Sequence, residues 1–285
     1  MAGTLYVVAT PIGNLEDITV RALRILKEVA LIAAEDTRRT AHLLTRYGIT
    51  TPTTSLHEHN EHAKSAAVIA RLKAGDNIAV VSDAGTPTVS DPGRHLIAEA
   101  VAAGLRVEPI PGPSAVVTAL SVSGFTDDEY VFMGFPPTRS KDRKEWLERL
   151  RKAAATVVFY ESPHRIIRTL EEIRDFVGDA NIVMARELTK AHEELVRGPI
   201  SEVLAHGIKV KGEFTVVLSV GRTTEEQLSN VQERPSTDVI AREFGLLTAS
   251  GPTSRRQAIT TLAKRYGLSA REAYQAVEAS KKSGG

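Results

Sequence analysis

Three loops in this chain gather the small, kinked and polar residues that let a backbone close around a small molecule. They are Thr10–Pro11–Ile12–Gly13–Asn14, Ser82–Asp83–Ala84–Gly85–Thr86–Pro87 and Pro111–Gly112–Pro113–Ser114. Glycine permits close approach of backbone to ligand, but turn geometry alone also asks for glycine and proline. One such loop is ordinary. Three of them, each following an apolar run, point to a ligand cleft at the carboxyl ends of strands.

Glu35–Asp36–Thr37–Arg38 also closes an apolar run. A carboxylate there suits a general base or an anchor for a substrate hydroxyl. It equally suits a helix N-cap with a first-turn acid, a role that fits Asp36. Tyr160–Glu161–Ser162–Pro163–His164–Arg165 has the same form. Capping accounts for Ser162 and Pro163, and leaves Tyr160, Glu161, His164 and Arg165 unexplained. His57–Glu58–His59–Asn60–Glu61–His62 invites a metal, yet its spacing is not that of a zinc site. We expect no metal; a solvated or substrate-touching loop is the expectation, with Asn60 capping a helix from Ala63 to Lys73. G-x-G-x-x-G, G-x-x-x-x-G-K-[ST] and G-x-S-x-G are all missing, which argues against a dinucleotide dehydrogenase, a P-loop kinase and an α/β-hydrolase.

Two stretches are basic. Residues 138–152 carry seven cations against three acids, and residues 254–282 carry seven against two. Such runs are often solvated helix faces, but they also suit phosphate.

Strands and helices must position these residues. Apolar runs at Thr4–Ala9, Leu31–Ala34, Asn77–Val81 and Val107–Ile110 read as buried strands, separated by helical patterns starting at Thr19, Gly93 and Ser114. This alternation predicts a mostly parallel α/β sheet. Beyond it, Tyr130–Phe135, Thr156–Tyr160, Asn181–Ala185 and Glu213–Val220 read as strands, and Glu193–Arg197 as a short antiparallel one. Helices are expected at Arg143–Lys152 and Ile166–Phe176. The expected division is an α/β domain over 1–122, a second over 123–222, a polar linker over 223–236 and a helix-turn-helix-like extension over 237–285.

Composition narrows the classes. The 285 residues are 42% hydrophobic and 25% charged, with net charge +1 and no cysteine. That excludes disulfide scaffolds, cysteine-ligated metals and thiol nucleophiles, and it is compatible with a reducing cytoplasm. The first residues have no basic segment ahead of an apolar one, and no apolar run has membrane-spanning length. A cytoplasmic protein without membrane association is expected.

Taken in order, seven motifs resemble the tetrapyrrole (corrin/porphyrin) methylase superfamily of S-adenosylmethionine-dependent methyltransferases. They are Val8–Ala9–Thr10–Pro11–Ile12–Gly13–Asn14–Leu15, Glu35–Asp36–Thr37–Arg38, His57–Glu58–His59–Asn60–Glu61, Ser82 to Pro87, Pro111–Gly112–Pro113–Ser114, Tyr160 to Arg165 and Gly212–Glu213–Phe214–Thr215. The resemblance covers essentially the whole chain. It implies two α/β domains with S-adenosylmethionine in the cleft between them. Transferred motif by motif, it places Pro11, Asp83, Ala84, Gly85, Thr86, Ser114 and Ala115 on the cofactor from the first domain. Phe159, Ala185, Gly212 and Glu213 would close the cofactor site from the second.

The superfamily often carries a Gly-Asp-Pro-type loop where this chain has Asp83–Ala84–Gly85–Thr86–Pro87. That departure, with the C-terminal extension, favours the branch that methylates a cytidine 2′-hydroxyl in 16S ribosomal RNA, expected on the assembled small subunit. A homodimer is implied as well. A ribose hydroxyl is a poor nucleophile, so a base or a cation near it would help. Asp36 or Glu35 is the candidate base, and Arg38 the candidate for holding phosphate or alkoxide. Arg139, Arg143, Arg255, Arg256 and Lys264 are candidates for RNA phosphate. A small-molecule methyltransferase of the same superfamily and a non-catalytic RNA-binding assembly factor are the rivals.

Overall fold

The computed structural model describes all residues except 58–59, 126–127, 154–155, 221–236, 250–254, 266–269 and 284–285. Two compact units emerge, residues 1–221 and 222–285.

The first unit begins with an all-parallel five-stranded sheet in the order β3-β2-β4-β1-β5. Its strands are β1 (Thr4–Val8), β2 (Leu31–Ala34), β3 (Thr53–Ser55), β4 (Ile78–Val81) and β5 (Arg106–Ile110). β2 and β4 are buried on both faces, as expected for parallel strands covered by crossover helices. Side chains alternate across the pleat. Ile32, Ala34, Ala79 and Val81 face α1 (Val20–Glu28) and α2 (Thr37–Arg46). Leu31, Ala33, Ile78 and Val80 face α3 (Glu61–Ala74) and α4 (Arg94–Ala102). Thr19 caps α1 by accepting the Ala22 N–H, so the stripe of Ala22, Ile25 and Leu26 begins where capping chemistry predicts.

The second sheet runs β6-β7-β10-β8-β9, from β6 (Tyr130–Phe132), β7 (Thr156–Glu161), β8 (Asn181–Arg186), β9 (Glu194–Pro199) and β10 (Phe214–Ser219). Only the β6–β7 pair is parallel; β7–β10, β10–β8 and β8–β9 are antiparallel. One face packs on α6 (Ser140–Arg151), α7 (Ile166–Val177) and α8 (Ile200–Ala205) through Trp146, Leu150, Leu170, Ile173 and Ile200. The opposite face takes Val116 and Ala119 of α5 (Ala115–Ser121) together with Ile12 and Leu188. Ile12, from the first sheet's loops, therefore shares a core with Val158, Val183 and Val217.

Some short elements escaped the sequence reading. β3 has three residues and α8 six, too few for a period to register. Asn60 precedes α3, but its Oδ1 accepts the His57 N–H rather than capping the helix.

The second unit contains α9 (Thr237–Ala249), α10 (Arg255–Arg265) and α11 (Ala270–Ser283) around Ile240, Phe244, Leu262, Ala273 and Val277. The expected linker, and the turn carrying Gly267 and Ser269, lie outside the described residues. Among the described residues no helix is long and apolar enough to cross a membrane.

Candidate active site

Beyond β1 the chain stays tied to the loop after β4. Thr10 and Gly85 exchange backbone hydrogen bonds of 2.8 and 2.9 Å, and the Thr10 hydroxyl donates to the Ser82 carbonyl at 3.1 Å. Gly85 adopts φ +80°, a region open to glycine at no steric cost. Thr86 Oγ1 donates to the Pro113 carbonyl at 3.3 Å, which joins this loop to the start of α5. The three glycine- and proline-rich loops thus form one wall.

A cavity of about 310 Å³ opens against that wall, a size suited to a small-molecule site. Ile12, Ala84, Gly85, Thr86, Ser114 and Ala115 line one side. Ala185, Leu188 and Gly212 to Thr215 line the other, together with Tyr160 to Pro163 at the end of β7. Gly212 sits at φ +91°, and a Cβ there would come within 2.5 Å of the Glu187 side chain. Its bare backbone therefore forms part of the cavity rim.

The carboxylates divide by environment. Asp36 caps α2. Its Oδ1 accepts from the Arg38 N–H at 2.9 Å and from Arg38 Nε at 3.0 Å, and its Oδ2 accepts from Arg38 Nη2 at 2.7 Å. These bonds hold the Asp36 carboxyl far below the usual carboxylate range. Glu35 Oε2 accepts the Asp83 N–H at 3.1 Å, and Asp83 Oδ1 accepts the Asp36 N–H at 3.0 Å. The two strand ends are laced together by this exchange, and burial pushes both Glu35 and Asp83 upward. Asp91, in the loop before α4, lines the cavity. Burial, then the charge of Glu35, pushes its carboxyl up to about 7.

At the end of β7 a buried network accounts for Glu161 and Arg165. Glu161 accepts from the Ser162 N–H at 2.7 Å and from the Thr169 hydroxyl at 2.6 Å, and pairs with Arg165 at 2.7 Å. Arg143 enters the same network. Its Nη2 donates to Thr169 Oγ1 at 2.7 Å, and its Nε donates to Glu172. The Tyr160 ring meets Phe132 and Phe135. Burial, with the charge of Asp91 behind it, pushes its hydroxyl up to about 12.

A family model described as Tetrapyrrole (Corrin/Porphyrin) Methylases matches residues 4–204. The chain belongs to the tetrapyrrole methylase family. Among curated relatives of this methylase, Ribosomal RNA small subunit methyltransferase I of Synechocystis sp. is 44% identical, covering 96% of each chain. The Bacillus subtilis protein of that name is 42% identical over 96% of this chain and 94% of its own. The Thermotoga maritima one is 48% identical, covering 76% of this chain but 98% of its own. Solved structures agree on the tetrapyrrole methylase fold. A diphthine synthase superposes with TM-score 0.63 at 16% identity, over 79% of this chain and 94% of its own. Uroporphyrin-III C-methyl transferase from Thermus thermophilus, complexed with S-adenyl homocysteine, gives 0.56 at 16% identity, over 76% and 97%.

In this tetrapyrrole methylase, Ala84, Gly85, Thr86, Ser114, Ala115, Ala185, Gly212 and Glu213 meet around one cavity. Pro11, Asp83 and Phe159 lie outside its lining. Phe159 is fully buried and packs edge-on against Trp146, ring centroids 5.4 Å apart. Its neighbour Tyr160 faces the cavity, one step along a period of two. Glu35, Asp36 and Arg38 also lie outside the lining.

Arg139 is exposed at the start of α6, whereas Arg143 is buried. The phosphate role expected of Arg143 therefore meets a guanidinium already committed to Glu172, Thr169 and the Pro137 carbonyl. Arg255 pairs with Glu278 and sits 5.9 and 5.8 Å from the Phe244 and Tyr274 ring centroids. Arg256 and Lys264 belong to α10, but their side chains lie outside the described set. The sequence reading named the loop that holds Ile12 but not Asp91 or Leu188. Asp91 had a signal in Ser90–Asp91–Pro92–Gly93, a turn sequence directly before a helix. Among the described residues, no group of three or more His, Asp or Glu could hold a metal.

Proposed function

We propose that the chain transfers a methyl group from S-adenosylmethionine to a cytidine ribose 2′-hydroxyl in 16S ribosomal RNA, on the assembled small subunit. One observation carries the assignment: relatives 42–44% identical over 94–96% of their own length bear the name Ribosomal RNA small subunit methyltransferase I. The cavity fits the methyl donor, which when bound supplies an electrophilic methyl carbon on a cationic sulfur. Apolar Ile12, Leu188 and Phe214 suit its adenine. Ala84 to Thr86, Ser114, Ala115, Ala185, Gly212 and Glu213 would hold it. The protein's own contribution is orientation, which is worth about 7–11 kcal/mol when complete.

The division at residue 122 is part of this reading, supported by the two sheets that flank it. A homodimer belongs to it too, with exposed Val117, Val122, Tyr130 and Val131 as candidate contact residues. Exposed Arg139, with Arg255, Arg256 and Lys264, would meet RNA phosphate. That substrate implies a cytoplasmic enzyme without membrane association.

The test incubates the protein with labelled S-adenosylmethionine and small subunits lacking the modification, then maps resistance to alkaline cleavage. One protected linkage at a cytidine is the expected result, because a 2′-O-methyl group removes the hydroxyl that attacks the adjacent phosphate. Label on a tetrapyrrole precursor but not on RNA would overturn the substrate. Cofactor binding without transfer to any acceptor would overturn the enzyme.

A further inference from the structure

We propose that Asp91 accepts the proton of the methyl-accepting hydroxyl, an inference that rests on the methyltransferase assignment above. Among the described residues, three carboxylates line the cavity. Glu161 is spent on Ser162, Thr169 and Arg165. Glu213 is bound to Lys190 at 2.9 Å. Asp91 has no ion pair among the described residues, and the Ser82 hydroxyl lies within hydrogen-bonding reach of it. A proton acceptor must be inside the site and uncommitted, and Asp91 alone of the three meets both conditions.

The backbone around Asp91 carries a second observation. Thr88 and Ser90 stand at φ +72° and +70°, the left-handed region that a β-branched threonine rarely enters. Such strain tends to mark functional loops. The loop is fastened on both flanks. Arg94 Nε donates to the Thr88 carbonyl at 2.9 Å. On the other flank, Glu61 Oε1 accepts the N–H groups of Gly93, His95 and Leu96 at 3.1, 2.8 and 3.1 Å.

The charged and titratable groups facing Asp91 are Glu35 at the end of β2, Asp83 after β4 and Tyr160 on β7. Burial, then the charges of Glu35 and Asp83, leave Asp91 able to bind a proton near neutrality, where a general base works best. As the hydroxyl oxygen forms its bond to the methyl carbon, the carbon–sulfur bond breaks and its electron pair stays on sulfur. Asp91 takes the hydroxyl proton and later returns it to water.

Asp91→Asn is the test, read in two ways. In single turnover on small subunits, the wild-type rate should rise with pH and level off above about 7. The variant should be about 100-fold slower or worse, with the rising limb gone and the calorimetric affinity for S-adenosylmethionine kept within about threefold. Asp91→Glu should recover part of the rate. The second reading needs no substrate. A carboxyl whose folded-state pKa is raised binds its proton more tightly in the native state, so it loses stability as pH rises from about 4 to about 7. The Asp91→Asn protein should therefore melt above wild type at pH 8, with the difference closing toward pH 4. An unchanged rising limb, or no pH-dependent melting difference, overturns the proposal. Lost cofactor affinity with an intact pH profile also overturns it, placing Asp91 on the cofactor instead. If Asp91→Asn fails to fold, an Asp91→Glu profile identical to wild type in rate and pH serves as the overturning result. A wild-type enzyme that methylates no RNA removes the assignment itself, while the melting comparison still reports on Asp91.

Discussion

Arg143 belongs to a run of seven cations, and charge alone would send it to a phosphate. Its position says otherwise. It stands three, four and seven residues before Trp146, Leu147 and Leu150, on the stripe of α6 that faces the core. Replacing it by alanine would remove its bonds to Glu172 and Thr169, although Glu172 keeps Arg168 and Thr169 keeps Glu161. Arg143→Ala should lose about 2 kcal/mol of stability in urea unfolding, with the salt dependence of RNA binding unchanged. Arg139→Ala should do the opposite, lowering the salt slope by about 1 with stability intact. Phe159 and Tyr160 make the same point for strands. Both faces of β7 are covered, so hydrophobicity does not say which parity meets the cavity. Asp36 shows a third limit. The sequence placed a carboxylate at a strand end, but the bonds from Arg38 that commit it to capping appear only in three dimensions.

At the scale of elements, the histidine-rich segment has a structural task. The His57 N–H is held by Asn60, and the His62 ring lies 3.9 Å from that of His95. Buried Glu61 reaches across to the N-terminus of α4, where a carboxylate answers both the orphan N–H groups and the positive end of the helix dipole. Glu61→Gln keeps the shape and removes the charge. It should cost about 1–2 kcal/mol in thermal or chemical unfolding. Because α4 begins just after Asp91, turnover should fall more than cofactor affinity does. The spacing of these residues gave no hint of this partnership, since Glu61 and Gly93 belong to different elements that only packing brings together. The parallel strands other than three-residue β3, by contrast, were legible from β1 through α5, because apolar strand runs and capped amphipathic helices have strong local signatures. Of the antiparallel second sheet only β9 was read as antiparallel, since pairing is a non-local choice.

At the scale of the molecule, the two sheets of residues 1–221 meet through loops as well as through α5. Asn14 N–H donates to Thr189 Oγ1 at 3.1 Å. A Cβ on Gly13 would lie 2.5 Å from Lys190 Cγ and 2.8 Å from the Leu188 carbonyl. Gly13→Ala should force these loops apart and widen the cavity that Ile12 and Leu188 line. A loss of about tenfold or more in S-adenosylmethionine affinity by calorimetry is expected, with a smaller change in melting temperature. The helical unit after residue 221 stands differently. The Thermotoga maritima relative is covered over 98% of its length by 76% of this chain, so a protein of that name can be built at nearly the length of the first unit alone.

The sequence by itself determined the parallel class of the first sheet, the loops that form the cavity wall and the family, because each of these is written in contiguous residues. Tertiary structure decided which acid in the cavity lacks an ion pair among the described residues, which arginine is buried and which face of β7 the ligand meets. Those outcomes depend on partners distant in the chain: Glu172 for Arg143, Trp146 for Phe159, and Ser82, Glu35 and Tyr160 for Asp91. A residue's chemistry is set by its type, but its availability is set by what folding leaves unpaired beside it.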